Sequence, residues 1–438
     1  MGEEGTPFRP GGRRGGLGRV SCVLALVSVI PQFGVTVVAP ALPGMAALPS
    51  GGPGAVQLVV TLYLAGFAVS VLLAGMLVER WGVRRTQLWA LGLFVVASVV
   101  CAVAPTLPVL VAGRFVQALG GCAATVLARL TVRHVYPEAL RVRTLSTLMA
   151  AIAVTPCLTP VLGGRLTEST GWRGVFVLMA VLGAVAAVLF LVVVPSGAEP
   201  EGRRGVRVRT VLADYAVHLR DPSYRACWYA ISLASMAHVV FVTYSAHALG
   251  VGIRLTPTAY GGLVAVTALG AVAGAFAVRG LSARWELTAL LRRAAVVCAL
   301  GGVLLAVVAA AAAGLGARHS PWPVVVPMMV VMAGVGAVLP ASQAGMLHSV
   351  GRSPGNASGL FFCLQQLAST VYGSVAGLWP GMTASALAVC VAVPCVLVPL
   401  AVRRTASAGA DGKGVRKGRR VDRPVADSVP PGRSGGRQ

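Results

Sequence analysis

Residues Gly75 to Arg85 read G-M-L-V-E-R-W-G-V-R-R, and the reading of this stretch decides the fold. It carries Glu79, Arg80, Arg84 and Arg85, yet it lies between two long apolar runs. Apolar helices joined by so short a polar link must turn back at one face of a bilayer. Gly75 lets another helix approach closely, and Gly82 permits the turn. Glu79, placed at the start of the next helix, favours that helix dipole and pairs with the neighbouring arginines. Two readings stay open. The cluster is a charged latch at one membrane face, or it is a solvated basic turn.

The surrounding composition agrees with a polytopic membrane chain. The 438 residues are 56% hydrophobic and 11% charged, with a mean hydropathy of +0.80, whereas a soluble domain is about a quarter charged. Twelve apolar spans are predicted, near 20–42, 56–78, 87–105, 108–131, 144–166, 173–194, 226–248, 258–281, 290–314, 322–347, 356–378 and 382–402. The expected fold class is an all-α membrane protein with twelve transmembrane helices in two six-helix halves. Residues 1–19 form a basic tail, 20–194 the first half, 195–225 a central loop, 226–402 the second half and 403–438 a disordered basic tail. The central loop includes an amphipathic stretch from Val211 to Leu219. A cleaved signal peptide is disfavoured, because the apolar stretch from Val20 is too long for one.

The net charge of +24 would suit a nucleic-acid partner. Its distribution argues instead for a bilayer. Of 37 basic residues, 31 fall in one set of alternate loops and the tails. Four fall in the other set (Arg165, Arg173, Arg254, Arg318) and two, Arg114 and Arg129, within spans. The basic side is therefore expected to be cytoplasmic, with both termini inside and the chain in the inner (cytoplasmic) membrane. The nine cysteines form no C-x-x-C pair and read as small apolar fillers, with no metal site expected.

A short internal echo supports duplication. Leu77 to Trp81 and Leu281 to Trp285 both read L-x-x-R-W, each at the second basic turn of a half. Two six-helix halves related by an axis along the membrane normal are one transporter plan.

Several in-span groups stand out. Arg114 costs about 2.5–3.5 kcal/mol to insert and should face the bundle interior; it is a cavity charge or an arginine fixed on backbone carbonyls. Gln117 lies one turn on and shares its face. Pro156, Pro160, Gly163 and Gly164 make helix five kinked and smooth. His238, mid-span, titrates near neutral pH or is a hydrogen-bonded structural histidine. Thr36, Gln32, Tyr63, Gln343, Gln365 and Gln366 are further polar candidates, as cavity lining or as interhelical glue.

Together these stretches resemble the major facilitator superfamily, in particular the bicyclomycin-resistance (Bcr/CflA) type of drug:proton antiporter. The motifs are the 75–85 loop, LVAGRFVQALGGCAA (Leu110 to Ala124), AVTPCLTPVLGG (Ala153 to Gly164), GWRGVF (Gly171 to Phe176), LTPTAYG (Leu255 to Gly261) and GVGAVLP (Gly334 to Pro340). The resemblance implies export of a small amphipathic drug or secondary metabolite by alternating access, with helix five sealing against leak. It implies a monomer with a small-molecule substrate, no cofactor, and the proton as coupling ion.

The chain departs from that pattern. Glu79 replaces the family's Asp, Thr36 stands where helix one often carries an Asp, and Arg133-His134 stands for Arg-Asp. With no carboxylate well inside a span, coupling falls to His238, to Arg114 with substrate, or to another group. An anionic, neutral or zwitterionic substrate then suits the interior better than a lipophilic cation. No nucleotide-binding or catalytic motif occurs, so an enzyme is not expected. A nutrient facilitator or importer, and a non-transporting membrane sensor, are the alternatives.

Overall fold

In a computed structural model, residues 14–52, 55–194, 208–250, 255–282, 284–315, 320–349, 354–379 and 382–417 are described. Among them every regular element is helical. The first half comprises α1 (Arg14–Thr36), α2 (Leu58–Trp81), α3 (Val83–Ala102) and α4 (Leu107–Val135). Helix then runs over Glu138–Val193, broken at Gly171, whose φ of 73° and ψ of 179° are open to glycine but strained for other residues. That break separates α5 (138–170) from α6 (172–193).

In the central loop, α7 (Val208–Arg220) is the expected amphipathic piece. The second half comprises α8 (Pro222–Gly250), α9 (Pro257–Leu281), α10 (Leu287–Gly314), α11 (Trp322–Ser349), α12 (Pro354–Ala376) and α13 (Ala384–Lys417). The Asp221 carboxylate accepts from the backbone N–H groups of Ser223 and Tyr224, at 2.7 and 3.3 Å, and so starts α8.

Apart from α7, twelve long helices divide six and six about the central loop. Nine described stretches are long and apolar enough to cross a membrane, the kinked α5–α6 pair counting as one. Helix α2 is predominantly apolar in sequence from Leu58 to Val78, whereas α12 carries Ser358, Gln365, Gln366, Ser369 and Thr370. These two helices pack against each other across the halves, where polar side chains can be spent on the interior. Helices α3, α6 and α10 show the opposite pattern. Val96, Val99 and Val100 on α3, Val181, Val188 and Val192 on α6, and Leu300, Val303 and Val307 on α10 form exposed apolar stripes suited to lipid.

Two expectations about boundaries change. Helix α2 continues through Trp81, so Glu79 lies in its last turn and not at the start of the next helix. The turn is made by Gly82, with φ of 79°, whose N–H caps the Val78 carbonyl at 2.8 Å. A carboxylate at a helix C-terminus opposes the dipole, so the favourable term assigned to Glu79 does not hold. Helix α13 continues to Lys417, past the expected boundary at 402. Once a span supplies the nucleus, its continuation adds one hydrogen bond per residue fixed. Residues 418–438 lie outside the described residues.

The L-x-x-R-W echo falls at the same turn of each half. Trp81 rests 6.4 Å from the ring of Trp89, and Arg293 lies 3.3 Å over the ring of Trp285. Both partners are eight residues on, so the two turns close in the same register.

Candidate functional site

The halves meet along two lines, α2 against α12 and α5 against α9. Two ends of the bundle are distinguished by charge. The basic end carries Arg80, Arg84, Arg85, Arg141, Arg143, Arg279, Arg284, Arg292 and Arg293; the opposite end carries Arg165 and Arg173.

At the opposite end, the α5–α9 line is main chain on main chain. A Cβ at Gly164 would sit 2.3 Å from the Pro257 carbonyl oxygen, and one at Gly261 would sit 2.2 Å from that of Pro160. A Cβ at Gly163 would meet the Val37 carbonyl oxygen at 2.1 Å. Thus Pro160 and Gly164 are brought together with the LTPTAYG stretch and Gly163 with Val37, while Pro156 lies one turn away on the same helix. The 39–41 turn after α1 packs on both α5 and α9.

The seam ends in a polar clasp. Beyond the spanning part of α5, Glu168 accepts from the backbone N–H of Thr258 at 2.9 Å and from its hydroxyl at 2.6 Å. These bonds, with one from the Thr256 hydroxyl and the charge of Arg165, hold the exposed carboxyl below its usual range. The Thr256 hydroxyl also caps α9 through Ala259 N–H at 3.2 Å. The contact of Glu168 lies 90 positions along the chain, with no local signal in the sequence.

Arg114 is fully buried in the first half. Its Nη2 donates to the Gly34 carbonyl on α1 at 2.7 Å, its Nε to that of Val59 on α2 at 3.3 Å, and its Nη1 to Gln117 Oε1. The Tyr63 ring lies 4.0 Å from the guanidinium carbon. Gln117 in turn donates to Ser98 on α3 at 2.6 Å and contacts Met179 on α6. The pair shares one face, as its spacing indicated, and ties α4 to four helices. This is the geometry of an arginine fixed on backbone carbonyls. The hydroxyl of Thr36 meets Thr159 on α5 and the Gln32 carbonyl, so Thr36 joins two helices of the same half.

His238 is half-buried on α8. It lies one turn from Ser235, which accepts from Gln365 on α12 at 2.6 Å, and two turns from Ser245, which bonds Tyr260 on α9 at 2.8 Å. Its neighbours along α8 therefore bond both α12 and α9. The Gln365 Oε1 and the hydroxyls of Ser232, Ser342 and Thr370 are buried without partners, which leaves polar capacity in this half unspent.

At the basic end, Arg84 donates to the Leu191 carbonyl at 2.8 Å and closes the last turn of α6. Arg80 and Arg85 are exposed. The side chains of Glu79, Arg133 and His134, and the surroundings of Gly75, lie outside the described residues. The GWRGVF stretch is structural: Trp172 is buried, and Arg173 lies 4.4 Å over its ring while donating to the Ala104 carbonyl at 3.2 Å. Among the described residues no cluster of ligands for a metal occurs.

Two helical halves, meeting on a glycine seam and enclosing polar groups that a bilayer would not accept, define a membrane transporter of the secondary type. The chain belongs to the Major Facilitator Superfamily, whose family model matches residues 24–373. It is 32% identical over 170 residues to the multidrug resistance protein MdtL of Escherichia coli O81 (strain ED1a), covering 39% of this chain and 43% of that protein. It is 33% identical over 168 residues to the drug efflux pump JefA of Mycobacterium tuberculosis (strain ATCC 25618 / H37Rv), covering 38% of this chain and 33% of that protein. Each match spans less than half the length of the curated relative. A crystal structure of a mutant of the peptide transporter POT shares the fold, with a TM-score of 0.73 at 15% identity, covering 93% of this chain and 96% of that one. Family and relatives make this chain a transporter and not an enzyme.

Proposed function

We propose that the protein exports a small amphipathic drug or secondary metabolite by alternating access, as a proton-coupled monomer in the inner membrane. The observation that carries this reading is the α5–α9 seam. Main-chain contact at Gly164 and Gly261, ended by the Glu168–Thr258 clasp, closes the opposite end between two halves that can rock. Export as the direction is supported by the drug-efflux names of the relatives. The excess of arginine at the other end supports cytoplasmic termini. Reporter fusions at both termini test the sidedness. A susceptibility and accumulation panel in a pump-deficient bacterial host, with and without an uncoupler, tests export. Uptake of drug into the host, or no uncoupler-sensitive change, would favour an importer.

His238 is the proposed coupling group, because it lies half-buried on α8 between Ser235, which meets α12, and Ser245, which meets α9. In vesicles, His238→Gln should abolish efflux driven by a pH gradient while leaving substrate binding; unchanged proton-driven efflux removes the assignment. The 75–85 loop is proposed as the latch of the basic end, with Gly75, Glu79, Arg80, Gly82, Arg84 and Arg85. Glu79→Gln should reduce transport more than other single changes in the loop. Normal transport by that variant would leave the stretch as a turn held by Gly82 and Arg84.

A further inference from the structure

Of the two arginines within spans, Arg114 has its donors engaged, and Arg129 does not. Arg129 lies on α4 about 9 Å, or six residues, before the helix end at Val135. Its Nε–H is buried and meets no acceptor. Among the described residues no carboxylate pairs with it. Its guanidinium carbon lies 5.9 Å from the ring centroid of Phe362 on α12, so the head group points across to the other half and not to lipid. One turn along α12 from Phe362, Gln365 presents its unpartnered Oε1, while its amide nitrogen is held by Ser235. The Phe362 ring meets Phe361 edge-on at 6.1 Å, and Phe361 meets Tyr224 edge-on at 5.7 Å, which braces the aromatic wall.

An in-span guanidinium without an anion is expensive, and groups of this kind mark substrate paths. A planar fork beside a ring recognises a planar anion that carries its own ring: the charge meets the fork and the body stacks on the aromatic wall. We infer that Arg129 and Phe362 form a subsite for an amphipathic organic anion, of which an aromatic carboxylate is the simplest member. The inference names the substrate class of the exporter proposed above and rests on that reading. It moves the substrate-facing cation from Arg114 to the basic end of α4.

The test is binding to the purified full chain in detergent, by equilibrium dialysis, with 1-naphthoate, its neutral amide 1-naphthamide, and 1-naphthylmethylammonium. The wild type should bind naphthoate at least about tenfold more tightly than either analogue, a factor set by one charge-assisted contact. Arg129→Gln should abolish that preference and Arg129→Lys should keep part of it. Phe362→Leu should weaken naphthoate without inverting the preference. Equal binding of naphthoate and naphthamide by the wild type, or a preference kept in Arg129→Gln, overturns the subsite. The wild-type comparison decides even if Arg129→Gln is not monodisperse. Displacement of naphthoate by phosphatidylglycerol in an Arg129-dependent way would assign the site to a lipid headgroup and overturn the substrate class. Binding needs no transport, so the two readings fail separately. Naphthoate bound through Arg129 without vesicle export sinks the exporter, and efflux of neutral drugs without naphthoate binding sinks the subsite.

Discussion

Glu168 on α5 grips Thr258 on α9 twice, through backbone N–H at 2.9 Å and hydroxyl at 2.6 Å, and this is a bond between halves. The carboxyl is held below its usual range by Thr258 first, so the clasp is present above the ordinary carboxylate pKa and is lost as pH falls through the depressed value. Protons at that end therefore favour separation of α5 from α9. Hydrogen–deuterium exchange of residues 255–265, corrected for intrinsic rate, should rise several-fold in Glu168→Gln at neutral pH. In the wild type it should rise only on acidification. Equal protection in both proteins would remove the clasp.

The glycine seam makes a sharper prediction. An added methyl at Gly164 or Gly261 meets a carbonyl oxygen at 2.3 or 2.2 Å, and a backbone has no rotamer with which to yield. Gly164→Ala and Gly261→Ala should express and fold, at a cost of about 1–3 kcal/mol. They should lose transport and become permanently reactive to bulky thiol reagents at a cysteine placed near position 258. Gly262, whose Cβ would meet nothing within 4 Å, serves as the control.

Arg114→Ala should damage stability more than Arg129→Gln. It strands the buried carbonyls of Gly34 and Val59 and the Gln117 oxygen, each costing about 1–3 kcal/mol. Arg114→Lys should rescue little, because a point ammonium cannot span three acceptors held by a fork. Thermal unfolding of the purified variants in one detergent checks the order.

Thr36→Ser should be close to neutral, and Thr36→Val should lower stability by about 1 kcal/mol through loss of the bond to Thr159. Neither should alter which substrates are carried. A changed drug spectrum in Thr36→Val would return this residue to the substrate path.

Much of the fold was legible, because span length, loop charge and the position of Gly82 are local properties of the chain. The Arg114–Gln117 pair was legible for the same reason: the spacing puts both on one helical face. What Arg114 donates to was not, since two of its acceptors are backbone carbonyls on α1 and α2, which any residue supplies. Distance along the chain hid the rest. Nothing near Glu168 points to Thr258, and nothing near Arg129 points to Phe362. Glu79 was assigned to the wrong helix end because a charged, apolar-flanked stretch gives no sign of where the last turn stops until the cap is seen.

A joint made of main chain has consequences for descent. Side chains at a hinge can be exchanged for others of similar size, but Pro160 and Pro257 offer their carbonyls whatever their neighbours become, and only Gly261 and Gly164 fit against them. The α5–α9 contact is thus closed to gradual revision. The walls on α4, α8 and α12 carry Arg129, His238 and Phe362, and substitutions there leave the hinge untouched. A lineage built this way can change its cargo repeatedly while its mechanics stay the same. Under the proposed assignment, diversity among such transporters should concentrate on those three helices.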